Sequence, residues 1–138
     1  MPRRKKNRRL LAPPTVKGFN VVGPRNRSEQ IILPFEEYET IKLLDYDNLT
    51  QEEASQCMGV SRPTLTRIYQ EARNKVARAF VEGKDIAIKG GHFDFDDNWY
   101  YCPSCQARFN LFESSEKVCP TCASKDIITL NEYYTQLK

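Results

Sequence analysis

The chain has only one histidine, His92, and it contains neither a phosphate-binding glycine loop nor a nucleophile with a neighbouring base. No apolar run approaches the roughly 20 residues that a membrane-spanning helix needs. These absences argue against an enzyme and against a membrane protein. The apolar residues 10–12 are followed at once by Pro13 and Pro14, so the basic start lacks the apolar core of a signal peptide. We therefore expect a cytoplasmic protein, with His92 in a loop.

Acidic residues are absent from the first 28 positions, although the whole chain has a net charge of only +3. Residues 1–28 hold nine Lys and Arg, residues 29–60 sum to −7, residues 61–90 sum to +4 and residues 91–138 sum to −3. A basic arm together with a basic helix predicts a surface that contacts phosphates. A block of like charges is also typical of a solvated tail or of a nuclear localisation signal.

Residues 50–80 have the pattern of two helices joined by a tight turn. Thr50 and Glu53 have the spacing of a capping box, and Gly59 supplies the backbone freedom that ends the first helix. Ser61 is placed to cap the second helix, and Pro63 falls in its first turn, where no N–H is needed. This arrangement predicts a helix-turn-helix, whose second helix commonly enters the major groove of DNA.

The second helix of this pair has one apolar stripe and one polar face. At about 100° per residue, the apolar residues at positions 65, 68, 69, 72, 76, 79 and 80 form the stripe that we expect to face inward. Arginine suits guanine, glutamine suits adenine, and threonine suits a phosphate or a thymine methyl group. The predicted DNA-contacting residues are Arg62, Thr64, Thr66, Arg67, Gln70 and Asn74 on the helix, and Arg3, Arg4, Lys5, Lys6, Arg8 and Arg9 in the arm. The alternative is an ordinary solvated helix face.

The remaining segments predict an α+β fold with two small domains. We expect short strands at residues 19–22, 31–33 and 85–89, and a helix that begins at Pro34 and packs Phe35, Tyr38, Ile41 and Leu44 inward. The acid pairs Glu36-Glu37 and Asp96-Asp97 are expected to be solvated. The predicted organisation is a flexible basic arm at 1–14, a helix-turn-helix domain at 15–91, an acidic linker at 92–97 and a zinc-ribbon domain at 98–138.

Four of the five cysteines form two CxxC pairs separated by thirteen residues, at Cys102, Cys105, Cys119 and Cys122. This spacing, with short strands beside it, is typical of a zinc ribbon that holds one structural Zn²⁺ through four thiolates. Two disulfides would leave Cys57 over and do not suit a cytoplasmic chain. A rubredoxin-like iron site is the better rival. We favour zinc, because rubredoxin knuckles usually have glycine or another small residue where Gln106 and Ala123 stand.

The first two-thirds of the chain resembles a functionally uncharacterised prokaryotic family of small predicted DNA-binding proteins. The matching residues are the MPRRKKNRR start, the segment from Leu33 to Lys84 with its QEEA and MGVSRPT runs, and the following IAIKGG. The helix-turn-helix of that family resembles region four of sigma factors. The resemblance implies a role in DNA binding, but it implies neither a target sequence nor a role for the ribbon.

The first functional hypothesis is therefore a sequence-specific binder of double-stranded DNA that regulates transcription. A second hypothesis is a protein–protein adaptor that meets RNA polymerase or another protein through the ribbon or the acidic region. A third is an iron-bearing redox sensor. RNA binding is a minor alternative, because the chain lacks the aromatic sheet motif that favours it.

Overall fold

The computed structural model describes residues 7–23, 30–112 and 115–137. The chain forms two compact units, Met1–Phe93 and Asp94–Lys138. The fold is α+β, as the sequence predicts. In chain order the elements are β1 (Arg8–Leu10), β2 (Gly18–Phe19), β3 (Ile31–Leu33), α1 (Phe35–Ile41), α2 (Gln51–Met58), α3 (Arg62–Glu82), β4 (Ile86–Ile88), β5 (Phe93–Phe95), β6 (Trp99–Tyr101), β7 (Arg108–Asn110), β8 (Ile128–Thr129) and α4 (Leu130–Gln136). Within the described ranges, no helix is both long and apolar enough to cross a membrane.

Helix α2 begins and ends, and helix α3 begins, where the capping residues predict. The side chain of Thr50 accepts a hydrogen bond from the Glu53 N–H, and the Glu53 carboxylate accepts one from the Thr50 N–H, each at 3.1 Å. Gly59 ends α2 with φ +65°, in the left-handed region that favours glycine. The Ser61 hydroxyl then accepts from the Thr64 N–H and starts α3. The turn between the helices is therefore fixed by local chemistry.

One buried apolar cluster of the first unit joins the segment just after α1 to α2 and α3. Its fully buried members are Leu43, Ala54, Met58 and Leu65, and partly buried apolar side chains surround them. Leu43 belongs to a π-helical turn, Lys42–Tyr46, that continues directly from α1. This apolar cluster holds the start of α3 against α2.

A three-stranded sheet of order β2-β4-β3 joins the two ends of the helical segment. Strand β3 pairs with β4 in parallel, with Ile31 opposite Ile86 and Leu33 opposite Ile88. Strand β2 pairs with β4 in antiparallel fashion, with Phe19 opposite Ile86. The sequence indicates these strands but not their partners, because the pairing brings together residues on either side of three helices.

The expected burial of α1 is wrong in part. The acids Glu36 and Glu37, expected to be solvated, are buried, and Glu39 is completely buried. Helix α1 contacts α3 and also β1, so it is covered on more than one face. Lys75 and the backbone N–H of His92 compensate two of these carboxylates, Glu37 and Glu36 respectively. Polar partners from distant segments, which no periodicity shows, allow this burial.

Two segments that were expected to be irregular contain strands. Arg8 and Leu10 of β1 are buried, and the Arg8 N–H donates to the carbonyl of His92 at 2.9 Å. Strand β5 lies in the expected acidic linker, and its Phe93 and Phe95 are both buried. Both strands alternate buried and exposed residues, which is the pattern of a half-buried strand. Their shortness and their charged exposed residues hid this pattern in the sequence.

The second unit is a small antiparallel sheet of order β7-β6-β8 followed by α4. Tyr100 lies opposite Phe109 on β7 and opposite Thr129 on β8. The hydroxyl of Thr129 accepts from the Glu132 N–H, so the side chain that ends β8 also caps α4. Strand β8 is only two residues long, because α4 begins directly after it.

Candidate functional site

The two CxxC pairs of the second unit lie in two separate tight turns of the same kind. The Gln106 N–H donates to the carbonyl of Cys102 at 2.7 Å, and the Ala123 N–H donates to that of Cys119 at 2.8 Å. Gln106 and Ala123 both have φ +64°. Residues with a side chain rarely adopt this left-handed backbone conformation, because their Cβ makes it sterically unfavourable, whereas glycine adopts it without that cost. The two turns therefore repeat one geometry, and each points its pair of sulfur atoms to the same place.

The four sulfur atoms converge on one point. All four Sγ atoms lie within 4.8 Å of one another. The Cys102–Cys122 pair is separated by 3.6 Å and the Cys105–Cys119 pair by 3.5 Å. A tetrahedral ion with Zn–S bonds of about 2.3 Å would separate its sulfur ligands by about 3.8 Å. The predicted cysteines therefore come together as a set of ligands that could hold one metal ion.

The surroundings of the cysteines favour thiolates on the buried side of the cluster. Burial alone would raise the pKa of the Cys119 thiol, but the backbone N–H groups of Cys122 and Thr121 and the neighbouring sulfurs lower that pKa to about 6. The pKa of the Cys102 thiol is also lowered, chiefly by its hydrogen bond from the backbone N–H of Cys105. Metal binding requires deprotonated cysteines, so these hydrogen bonds favour the metal-binding form of Cys102 and Cys119.

A second candidate site is the exposed face of the N-terminal half of α3. Arg62, Arg67, Gln70 and Asn74 are all exposed. Arg67, Gln70 and Asn74 lie on the side of α3 opposite its buried stripe, and Arg62 lies on the flank at the helix start. In the described part of the chain, none of these four side chains makes an ion pair or a side-chain hydrogen bond. Their donors and charges are therefore available to a ligand.

The two threonines predicted to contact DNA are half-buried and have partners within the chain. The Thr64 hydroxyl accepts from Ser61 Oγ at 2.9 Å. Thr66 Oγ1 donates to Oε1 of Gln51 at 2.5 Å and lies 3.0 Å from the carbonyl oxygen of Arg62. Thr66 thus links α3 to the first residue of α2.

The cations in the C-terminal half of α3 and just beyond it are mostly neutralised by acids. Lys75 Nζ lies 2.9 Å from Glu37 Oε1, and Arg78 Nε lies 3.2 Å from Glu82 Oε2. Lys84 also contacts Glu82, at 3.3 Å. The positive charge that remains available is therefore concentrated toward the start of α3.

The contacts of Tyr69 on α3 were not predicted from the sequence. Tyr69, expected to be part of the inward apolar stripe, donates its hydroxyl to Asp45 Oδ1 at 2.7 Å. The guanidinium of Arg73 lies over the Tyr69 ring, 5.3 Å from its centroid. The available signal was the arginine four residues after a tyrosine, which puts the two side chains on one helix face. Phe80, also expected inside, is 87% exposed.

The predicted contacts in the N-terminal arm are divided between described and undescribed residues. Arg3, Arg4, Lys5 and Lys6 lie outside the described residues. Arg8 is buried in β1, because the strand turns this side chain inward together with Leu10, so the expectation of an exposed Arg8 is wrong. Arg9 is exposed.

The family model described as "Protein of unknown function DUF134" matches residues 1–96 of this chain. The chain belongs to this family. The match covers the whole first unit, including β1 and the segment from α1 to β4. DUF134 is described as a family of unknown function, so membership of the family does not assign an activity to this chain.

Proteins similar to this chain include UPF0251 proteins from several organisms. The relative from Chloroherpeton thalassium is 40% identical over 141 residues, covering 100% of this chain and 93% of the relative. A relative from Methanothermobacter thermautotrophicus is 38% identical, covering 92% of this chain and 67% of the relative. A third, from Caldicellulosiruptor saccharolyticus, is 41% identical over 92% of this chain and 88% of the relative. No solved structure matches.

Proposed function

We propose that this protein is a sequence-specific binder of double-stranded DNA that regulates transcription. The observation that supports this most is that Arg67 and Gln70 are exposed on the outer face of α3, and Arg62 at its start, with no side-chain partner in the described part of the chain, while α2 packs against the other side of that helix. A helix presented in this way beyond a short turn is the reading element of a helix-turn-helix.

The proposed contacts differ in what they read. Arg67 and Gln70 would bind base edges in the major groove, where arginine pairs with guanine and glutamine with adenine in bidentate fashion. Arg62 would approach the bases or phosphates from the helix start, and Asn74 would follow one turn beyond Gln70. The 21 residues of α3 span about 31 Å, long enough to cross the groove and leave it.

The second unit has a structural role in this proposal. The cysteine cluster would hold one Zn²⁺, and four protein ligands leave no open position for a substrate or a water molecule. A unit of this size buries too little apolar surface to fold well unaided, so the ion would supply part of its stability. The proposal is thus for a binding protein rather than for an enzyme.

The test is selection of bound sequences from a random pool of duplex DNA at about 0.15 M salt, where weak non-specific contacts are penalised. The protein should first be shown to carry stoichiometric metal. An enriched motif is the expected result, and its symmetry would reveal whether one or two copies bind. Absence of enrichment from metal-loaded protein would reject sequence-specific DNA binding. Affinity capture of RNA polymerase subunits after nuclease treatment would then support the adaptor function.

A further inference from the structure

Tyr69, Asp45 and Arg73 form a connected group on one flank of α3. The Tyr69 hydroxyl bonds Asp45 in the π-helical turn after α1, and this bond fixes the direction of the ring. The hydrogen bond to Asp45 is also the main reason that the pKa of Tyr69 is raised, so the phenol stays neutral and keeps donating. The Arg73 guanidinium rests over the fixed ring. The contact with the Tyr69 ring, which Asp45 holds in place, therefore restricts the direction of the Arg73 guanidinium.

Arg73 differs from the basic residues that follow it on α3. Within the described ranges Arg73 has no acid within ion-pair distance, whereas Lys75 is bound to Glu37 and Arg78 to Glu82. Arg73 is also exposed. A guanidinium on an aromatic ring keeps its N–H groups at the edge of the stack available, because the ring occupies only its face.

The position of Arg73 on the helix separates it from Arg67 and Gln70, the two side chains proposed to bind base edges. At about 100° per residue, Arg73 lies about 60° from Gln70 and within about 20° of Arg62, roughly 17 Å along the helix axis from Arg62. A side chain on the flank of a helix in a groove meets the wall of that groove, which is the phosphate backbone.

We propose that Arg73 binds a backbone phosphate of the DNA duplex and that Tyr69 and Asp45 position it for this contact. This inference rests on the proposed DNA-binding function and adds a phosphate-binding residue to the same site. Tyr69 and Asp45 are positioning residues, because they act through the guanidinium and need not touch the DNA themselves.

The experiment measures the affinity of metal-loaded protein for a selected duplex and for an unrelated duplex across a series of salt concentrations. Loss of one phosphate contact should reduce the slope of log affinity against log salt by about 0.9, and affinity at 0.15 M salt by about fivefold. Arg73→Ala should show both changes, with equal loss on the two duplexes. Arg78→Ala is the matched control, because Glu82 already neutralises Arg78, and it should bind as the unmodified protein does.

The positioning role is tested by two substitutions of Tyr69. Tyr69→Phe keeps the ring and loses the bond to Asp45, so it should lose less affinity than Tyr69→Ala. Neither change should further weaken binding once Arg73 is alanine. Additive losses in the double variants would overturn the positioning role, and helical circular dichroism should confirm that each variant is folded.

The outcomes separate this inference from the function on which it rests. An unchanged salt slope in Arg73→Ala, or a loss confined to the selected duplex, would overturn the phosphate contact while DNA binding stands. Failure of the unmodified protein to bind either duplex would overturn both.

Discussion

The ammonium group of Lys75 lies 2.9 Å from Oε1 of Glu37, and this ion pair ties the middle of α3 to the first turn of α1. The side chain of Glu37 is only 12% exposed. Burial raises the pKa of this carboxyl, and the bond to Lys75 opposes that rise. The pair therefore compensates a charge that the packing of α1 would otherwise leave without support.

Replacing Lys75 with methionine should destabilise the first unit by about 1–3 kcal/mol, because it leaves a buried carboxylate without its partner. Urea unfolding followed by helical circular dichroism measures the change. The comparison is Arg78→Met, which breaks the exposed pair with Glu82 and should cost less than about 1 kcal/mol. Equal decreases in the free energy of unfolding in the two variants would show that the contact with Glu37 stabilises the fold no more than an exposed ion pair does.

Glu39 should make the first unit less stable as the pH rises. Burial raises the pKa of its carboxyl from 4.5 to about 7, although Lys42 opposes the rise. The folded chain then holds this proton more tightly than the unfolded chain, so stability falls between about pH 4.5 and pH 7 and levels off above that range. Relative to Glu39→Gln, which cannot titrate, the loss should reach roughly 3 kcal/mol. Parallel pH profiles of the two proteins would contradict the raised pKa.

Removing the metal should unfold the second unit and leave the helices of the first. Trp99, the only tryptophan, lies in β6 near Cys102, so its fluorescence reports on the second unit. A chelator should shift this fluorescence while most of the helical circular dichroism remains, and native mass spectrometry should lose one ion. Cys102→Ser should mimic the chelator. Cys57→Ser is the control, because Cys57 belongs to α2 of the first unit and is not one of the four clustered cysteines, so the substitution should leave metal content unchanged.

Replacing Arg67 with alanine should relax specificity at one base pair of the selected motif. An arginine that bonds guanine contributes about 1–3 kcal/mol of discrimination, so the variant should lose affinity for the motif but little for duplexes changed at that position. Competition binding against single-base variants of the motif measures this. A uniform loss on all sequences would instead identify Arg67 as a phosphate contact.

Local chemistry made much of this molecule predictable. Thr50, Gly59 and Ser61 determine both ends of α2 and the start of α3 through hydrogen bonds to residues three or four positions away, so their effect can be read from spacing. The cysteine cluster was predictable for the same reason, since each CxxC turn is made by consecutive residues.

Features that depend on distant segments were not predictable. Glu39 looks like a solvated helix residue until β1 and the surrounding helices cover it, and Phe80 fits the inward stripe although nothing covers it in the described part of the chain. The partners of Tyr69 and Lys75 lie 24 and 38 positions away. Side chains in one helix cannot show which other element will pack on them.

The parallel pairing of Ile31 with Ile86 closes a loop that contains all three helices of the first unit. The contacts between neighbouring helices are local, whereas this strand pair requires the two ends of a long loop to meet, at a cost in chain entropy. We therefore expect α1, α2 and α3 to assemble early during folding and the β3–β4 pair to join late. The rate of folding should then be limited by closure of the sheet, so substitutions in β4 that weaken this strand pair should mainly slow folding.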